Sequence, residues 1–264
     1  MSKLKISTGY SNNNLPYMKM GDSPRTLVVF DGLNFDHKPL SGLALRMNSM
    51  MFKVIAQDYT VYLVGRKPSL HEGYTMRDMS NDYAEMIRHD IGTIVDIAGV
   101  STGGPIAQWF AVDYPELIRK LVLISTGYRL SDFGKQAQLN ILEAARTGNR
   151  RATAAAMTDL ISKGITGTLM KGLFWLMGPI IYSRDMSDGM TELDAEDKFN
   201  FKEWLSEIKV PTLVIGGAED PLYLMRETAE GIPGARLILY ENAGHAAMMK
   251  KELQKDIVNF LNED

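Results

Sequence analysis

The stretch Gly99-Val100-Ser101-Thr102-Gly103-Gly104 constrains this chain more than any other. It follows the apolar run Ile94-Val95-Asp96-Ile97-Ala98, which reads as a buried strand. It precedes Pro105-Ile106-Ala107-Gln108-Trp109-Phe110-Ala111-Val112, which reads as a helix with proline in its first turn, where a missing N–H costs little. A serine between glycines at a strand-to-helix junction is the G-x-S-x-G pattern. The turn is sharp and strained, so its flanks must be small, and the serine hydroxyl is lifted above the sheet at the positive end of the helix. An accidental Gly/Ser turn would match the same letters; the strand before it and the helix after it favour the structured reading.

The surrounding chain supplies that context. Residues 26–30, 60–64 and 120–125 are nearly continuous apolar runs, as expected of strands buried on both faces. Between them lie a helix over residues 43–54 and another opened by the capping box Thr75-Met76-Arg77-Asp78. Two short strands, 4–8 and 15–20, joined through Asn12-Asn13-Asn14, predict an antiparallel hairpin at a sheet edge. After residue 209 the alternation returns as strand 210–215, helix 222–231, strand 236–240 and amphipathic helix 251–261. Such alternation predicts an α/β fold with a mostly parallel twisted sheet and helices on both faces.

Over residues 127–208 the alternation stops, for far longer than an ordinary connection. Helices are expected over 136–146, 152–162 and 168–177, punctuated by glycines. The expected organisation is a core made of residues 1–126 and 209–264 with a helical cap, 127–208, inserted before the last two strands. The third cap helix carries Leu169, Met170, Leu173, Phe174, Trp175 and Leu176 and is apolar nearly all round, so it needs cover on more than one side. Leu173, Phe174, Trp175 and Leu176 are therefore expected to line a substrate pocket; the competing reading makes them ordinary cap core.

A serine hydroxyl is a weak nucleophile at neutral pH and needs a base within reach and a group that orients the base. Of the four histidines, His245 follows the last strand directly, in Glu241-Asn242-Ala243-Gly244-His245, and is the leading base; His37, in an earlier loop, is the second candidate. Asp220, in Gly217-Ala218-Glu219-Asp220-Pro221 after another strand, is the leading orienting acid, although a carboxylate there is equally suited to cap the next helix. Asp132 is the fallback. Loops after parallel strands all open on the carboxyl edge of the sheet, so Ser101, Asp220 and His245 can converge there. Donors for a developing oxyanion are expected from the backbone N–H of Thr102 and of Leu33, with the Asn34 side chain as another option.

These residues resemble the α/β-hydrolase superfamily: the elbow at Gly99 to Gly104, the strand followed by Gly217 to Asp220, and the Gly244-His245 pair, in that order. The resemblance covers roughly two thirds of the chain. It implies an eight-stranded, mostly parallel sheet, a nucleophilic serine in a Ser-Asp-His triad and no cofactor. It also implies a serine hydrolase, resembling a carboxylesterase, for a small or medium, partly apolar ester or related acyl substrate. The same triad can serve carbon–carbon bond hydrolysis or a lyase, or persist in a slow-turnover ligand-binding receptor. One departure stands out. Many relatives carry His-Gly where this chain has Asp31-Gly32, and a carboxylate aimed at the hole would oppose an oxyanion, so Asp31 is expected to point away or hold the loop.

Composition narrows the partners. A net charge of −3 provides no electrostatic footprint for nucleic acid or an anionic membrane. The absence of cysteine rules out disulfides, thiolate metal sites and a cysteine nucleophile; no metal-binding motif is present, and a cytoplasmic location is expected. The 17 methionines are read chiefly as core filler, against the alternative of an adaptable apolar pocket.

Overall fold

The computed structural model describes residues 4–160 and 164–263. Its strands are β1 (Ile6–Tyr10), β2 (Pro16–Met20), β3 (Thr26–Phe30), β4 (Thr60–Val64), β5 (Val95–Val100), β6 (Ile118–Ile124), β7 (Thr212–Gly217) and β8 (Arg236–Tyr240). They form one eight-stranded sheet in the order β1-β2-β4-β3-β5-β6-β7-β8. β1 and β2 pair antiparallel, as do β2 and β4, and every other pairing is parallel. The expected edge hairpin and parallel core are both present.

Period-two alternation divides the core into two layers. Val28 and Phe30 of β3 face the helices α2 (Met76–Met86) and α3 (Gly103–Asp113), packing with Tyr83, Ile106 and Phe110. Leu27 and Val29 face the opposite way, toward α1 (Gly42–Met51) and α9 (Lys251–Asn262), in a cluster with Phe52, Ile257 and Leu261. The capping box at the start of α2 forms in both directions: Thr75 accepts from the Asp78 N–H, and the Asp78 carboxylate accepts from the Thr75 N–H.

Between β6 and β7 the chain forms α4 (Asp132–Arg146), α5 (Arg150–Met157), α6 (Gly164–Ile181) and α7 (Ser187–Asp197). Of the expected helix over 152–162, residues 161–162 lie outside the described residues. α7 was not foreseen. Its buried face is built from Gly189, Glu192, Leu193, Ala195 and Glu196, so the inward positions include two carboxylates and leave little apolar period to detect. Phe35, Ile141, Leu142, Met186 and Leu193 form a small core of their own here, with Leu33 packed against it. α8 (Met225–Gly231) completes the set and starts later than expected.

The sheet order places β3 between β4 and β5, so connections leave β3 and β5 in opposite directions. This is a topological switch point, where a crevice opens beyond the carboxyl ends of the strands. Phe30 is in register with Gly99, so the segments that follow, Asp31-Gly32-Leu33 and Val100-Ser101-Thr102, lie side by side.

The elbow is an actual strained turn. Ser101 has φ +49°, in the left-handed region that a residue with a side chain rarely adopts. A Cβ on Gly103 would lie 2.1 Å from the Phe30 carbonyl oxygen, and one on Gly99 would lie 2.7 Å from the Gly104 Cα. Both contacts are with backbone, which cannot swing aside. Gly103→Ala is therefore expected to cost about 3 kcal/mol or more. Gly172→Ala, at an α6 position with open space around the added methyl, is expected to be neutral or slightly stabilising. Chemical denaturation of the two variants checks the contrast.

Candidate active site

Three loops at the carboxyl edge bring together residues far apart in sequence. Nε2 of His245 lies 3.0 Å from Oγ of Ser101, and Nδ1 of His245 lies 2.8 Å from Oδ2 of Asp220. The Asp220 side chain is fully buried and that of His245 nearly so. Asp220 does not cap α8, which begins five residues later; its second oxygen instead accepts the Leu222 N–H at 2.9 Å. The loops bearing Asp220 and His245 are tied to each other, since the Glu219 N–H donates to the Ala243 carbonyl at 2.9 Å. Tyr223 stacks on the His245 ring at 6.0 Å between centroids.

The other candidates lie elsewhere. His37 is buried away from Ser101, with its ring nitrogens on the carbonyls of Lys67 and Asn34 and on Glu192. Asp132 is fully exposed at the start of α4, 3.5 Å from Arg129.

Leu33 and Thr102 line the same small cavity as Ser101, and among the described bonds neither of their N–H groups is engaged. Asn34 is not among the residues lining this cavity; its Oδ1 accepts the Asp36 N–H at 3.0 Å. Asp31 turns its carboxylate back on its own loop, accepting the Gly32 N–H at 2.8 Å. Burial raises it to about 6, against the lowering effect of Arg66. The loop is held from behind by Arg66, whose Nη1 donates to the carbonyls of Asp31 and Gly32 at 2.7 and 3.0 Å.

α7 contributes two carboxylates that the sequence reading missed. Glu192 lies 2.6 Å from Nη2 of the buried Arg66 and 3.3 Å from His37. Burial alone would depress the His37 value; the hydrogen bond and charge of Glu192 outweigh it, and the ring ends above its usual range. One turn later, Glu196 accepts from Gln138 Nε2 at 2.6 Å, from Thr102 Oγ1 at 3.0 Å and from the Tyr223 hydroxyl. Burial raises Glu196 to about 7, and the hydrogen bonds from Tyr223 and Thr102 only partly offset it. Burial, then the charge of Glu196, hold the Tyr223 phenol protonated. The one available signal was the four-residue spacing of Glu192 and Glu196, which ordinarily marks a solvated face.

The cavity beside Ser101 has a volume of about 30 Å³. Its apolar wall is Leu33, Leu130, Leu160, Leu193 and Leu222, and its polar wall is Gln138, Glu196 and Tyr223. The residues expected to line it are not there. Leu173, Trp175 and Leu176 are exposed, and Phe174 is half-buried on the same outer helix. α6 packs on α5, where Gly178 meets the backbone of Arg150 and Arg151, and Arg151 covers the Trp175 ring. The second cover that an all-apolar helix calls for is absent among the described residues. A larger groove of about 320 Å³, lined by Tyr74, Arg77, Trp109 and Lys198 among others, contains no member of the Ser101 cluster.

A family model described as the alpha/beta hydrolase fold matches residues 51–252. The chain belongs to the α/β-hydrolase family. Among curated proteins it is 28% identical over 189 residues to a Mycobacterium tuberculosis protein named as a non-heme bromoperoxidase, BpoC, covering 68% of this chain and 72% of that one. It is 23% identical over 276 residues to a Pseudomonas 2-hydroxy-6-oxononadienedioate/2-hydroxy-6-oxononatrienedioate hydrolase, covering 98% and 95%. Among solved structures, MGS-M2, an alpha/beta hydrolase enzyme from a Medee basin deep-sea metagenome library, superposes with a TM-score of 0.78 over 98% of both chains at 22% identity. Family membership supports hydrolase chemistry for this chain. No helix among the described residues is long and apolar enough to cross a membrane, and no group of residues among them is placed to hold a metal ion.

The Glu196 value has a consequence for stability. Its folded value, about 7, lies above the ordinary 4.5, so its contribution is complete below pH 4.5 and is lost as pH rises through 7. Wild type is therefore expected to lose stability relative to Glu196→Gln between pH 5 and pH 8, by as much as about 3 kcal/mol. Urea denaturation of both proteins at the two pH values measures the gap; a gap independent of pH would show that Glu196 does not titrate in this range.

Proposed function

We propose that this protein is a serine hydrolase that cleaves a small, partly apolar ester or related acyl compound through an acyl-enzyme. The observation that carries the reading is the Ser101–His245–Asp220 chain of contacts, at 3.0 and 2.8 Å, beside a small cavity with a leucine-rich wall. In this reading Ser101 Oγ attacks the substrate carbonyl carbon as His245 Nε2 takes its proton. Asp220 holds Nδ1–H in the productive tautomer and stabilises the imidazolium. The N–H groups of Thr102 and Leu33 take the oxyanion, with the positive end of α3 behind Thr102. Collapse expels the leaving alkoxide, which takes the proton from His245. Water, deprotonated by the same nitrogen, then attacks the acyl carbon; the carboxylic acid leaves and Ser101 regains its proton.

The cavity bears on substrate size. About 30 Å³ accommodates one or two water-sized groups, which supports a short acyl chain. The rival reading, hydrolysis of a carbon–carbon bond by the same triad, is suggested by the name of the Pseudomonas relative. A simple ester separates the two. Mixing with p-nitrophenyl acetate is expected to release about one equivalent of nitrophenol per enzyme in a burst and leave an acetyl group on Ser101, detectable by mass. Ser101→Ala is expected to abolish burst and label while remaining folded, and Asp220→Asn to reduce turnover by about 10⁴-fold. A folded enzyme that forms no acyl-enzyme with short esters would overturn the ester reading.

The lining makes a separate prediction. Leu193→Ala is expected to move the optimum in a p-nitrophenyl ester series toward longer acyl chains, by about 10-fold or more per methylene gained. Leu173→Ala, on the outer face of α6, is expected to leave the profile unchanged.

A further inference from the structure

The peptide between Gly32 and Leu33 offers the second oxyanion donor, and its other end is fixed. Its carbonyl belongs to Gly32 and its N–H to Leu33. No cis peptide occurs among the described residues, so these two groups point in opposite directions. Nη1 of Arg66 donates to the Gly32 carbonyl at 3.0 Å and to the Asp31 carbonyl at 2.7 Å. Drawing the Gly32 oxygen toward Arg66 turns the Leu33 N–H away from Arg66, and Leu33 lines the cavity with Ser101. A Cβ built on Gly32 would lie 3.7 Å from Cβ of Ser101, so the peptide runs beside the nucleophile.

A peptide that follows glycine turns over easily, because no side chain restrains the glycine backbone. The preceding peptide is held at both ends: its Asp31 carbonyl accepts from Arg66, and its Gly32 N–H donates to the Asp31 carboxylate at 2.8 Å. Among the described bonds the Gly32–Leu33 peptide is held at its carbonyl alone, and its N–H is open. Arg66 is 1% exposed, and its charge is met by Glu192 of α7, 2.6 Å from Nη2. The other oxygen of Glu192 lies 3.3 Å from Nε2 of His37, which is also 3.0 Å from the Asn34 carbonyl. One carboxylate from the inserted segment thus stands behind two side chains that meet carbonyls of this loop.

We propose that Arg66 is a positioning residue that aims the Leu33 N–H at the oxyanion, and that Glu192 holds Arg66 in place for this. The inference rests on the serine-hydrolase reading and deepens it, since the oxyanion hole then depends on α7 being docked against the β3 loop. Neither side chain lines the cavity beside Ser101; both act through the peptide.

The test measures kcat and KM for p-nitrophenyl acetate, and inhibition by trifluoroacetone, which adds to a serine as a hemiketal with the same oxyanion. In Arg66→Met, kcat is expected to fall by about 100-fold, the effect of losing one such donor, with KM changed by less than about threefold. Trifluoroacetone is expected to bind more weakly by the same factor as the loss in kcat/KM. Arg66→Lys keeps the charge but not the planar fork, and its kcat is expected to fall between Arg66→Met and wild type. A lone buried charge destabilises, so Arg66→Met/Glu192→Met, which removes both charges, is expected to unfold at a higher urea concentration than Arg66→Met. Its kcat is expected to stay as low, because the Gly32 carbonyl is still unheld. Should Arg66→Met not fold, the double variant decides; should neither fold, Arg66→Lys decides by the same split of kcat from KM. Activity that returns with stability in the double variant would overturn this inference. So would a loss carried by KM alone, or unchanged inhibitor affinity in a variant whose kcat has fallen. Each of these leaves the serine-hydrolase reading standing. A wild type that forms no acyl-enzyme would overturn that reading and this inference with it.

Discussion

The active-site region depends on backbone meeting backbone at the end of β5. Ser101 is held in the left-handed region, and the turn closes only because Gly99 and Gly103 present no side chain to Gly104 and to the carbonyl of Phe30. Such strain persists where surrounding structure over-determines it. Here the restraint is the sheet itself, since the Ser101 N–H donates to the Ile124 carbonyl of the neighbouring strand at 2.9 Å. With the turn fixed, Ser101 projects into the switch-point crevice, α3 starts directly behind it, and the β3 loop is brought alongside. The placement of Asp220 and His245 then follows from β7 and β8 ending on the same edge.

A second constraint is electrostatic and comes from α7. Two carboxylates one helical turn apart are removed from water, and each is matched to a different part of the site. Glu192 meets Arg66, which holds the carbonyls of Asp31 and Gly32; Glu196 meets Thr102 of the elbow and Tyr223 of the acid loop. Buried ion pairs contribute little net stability after desolvation, but breaking one leaves a costly unpaired charge. Their consequence here is positional. The inserted helical segment is registered against the β3 loop, the elbow and the acid loop at once, and any displacement of α7 would uncover charge.

The cavity shows how the same helices set a small volume. α4 contributes Gln138 and α7 contributes Leu193 and Glu196, whereas α6, the most apolar helix, lies outside and packs on α5. Apolar character reports that a residue gains from being covered, and it does not say by what. That is why Leu173, Phe174, Trp175 and Leu176 looked like pocket residues and lie elsewhere, while the glutamine and glutamate of the pocket's polar wall carry no local mark of their burial.

The sequence by itself determined the sheet and the order of the residues that meet at its carboxyl edge. Uninterrupted apolar strands, glycines at the elbow and the succession Ser101, Asp220, His245 after three separate strands are local patterns, and parallel-strand topology sends every such loop to one edge. The Asp31 carboxylate was expected to point away from the hole or to hold its loop, and it accepts the N–H of Gly32. Only the tertiary structure decided which helices line the cavity beside Ser101 and that Glu192 and Glu196 are interior. Backbone geometry and hydrophobic period are written in neighbouring residues and can be read from them. The environment of a buried polar group is set by partners 94 residues away for Thr102 and Glu196, or 155 for His37 and Glu192, and no local pattern encodes such a pairing.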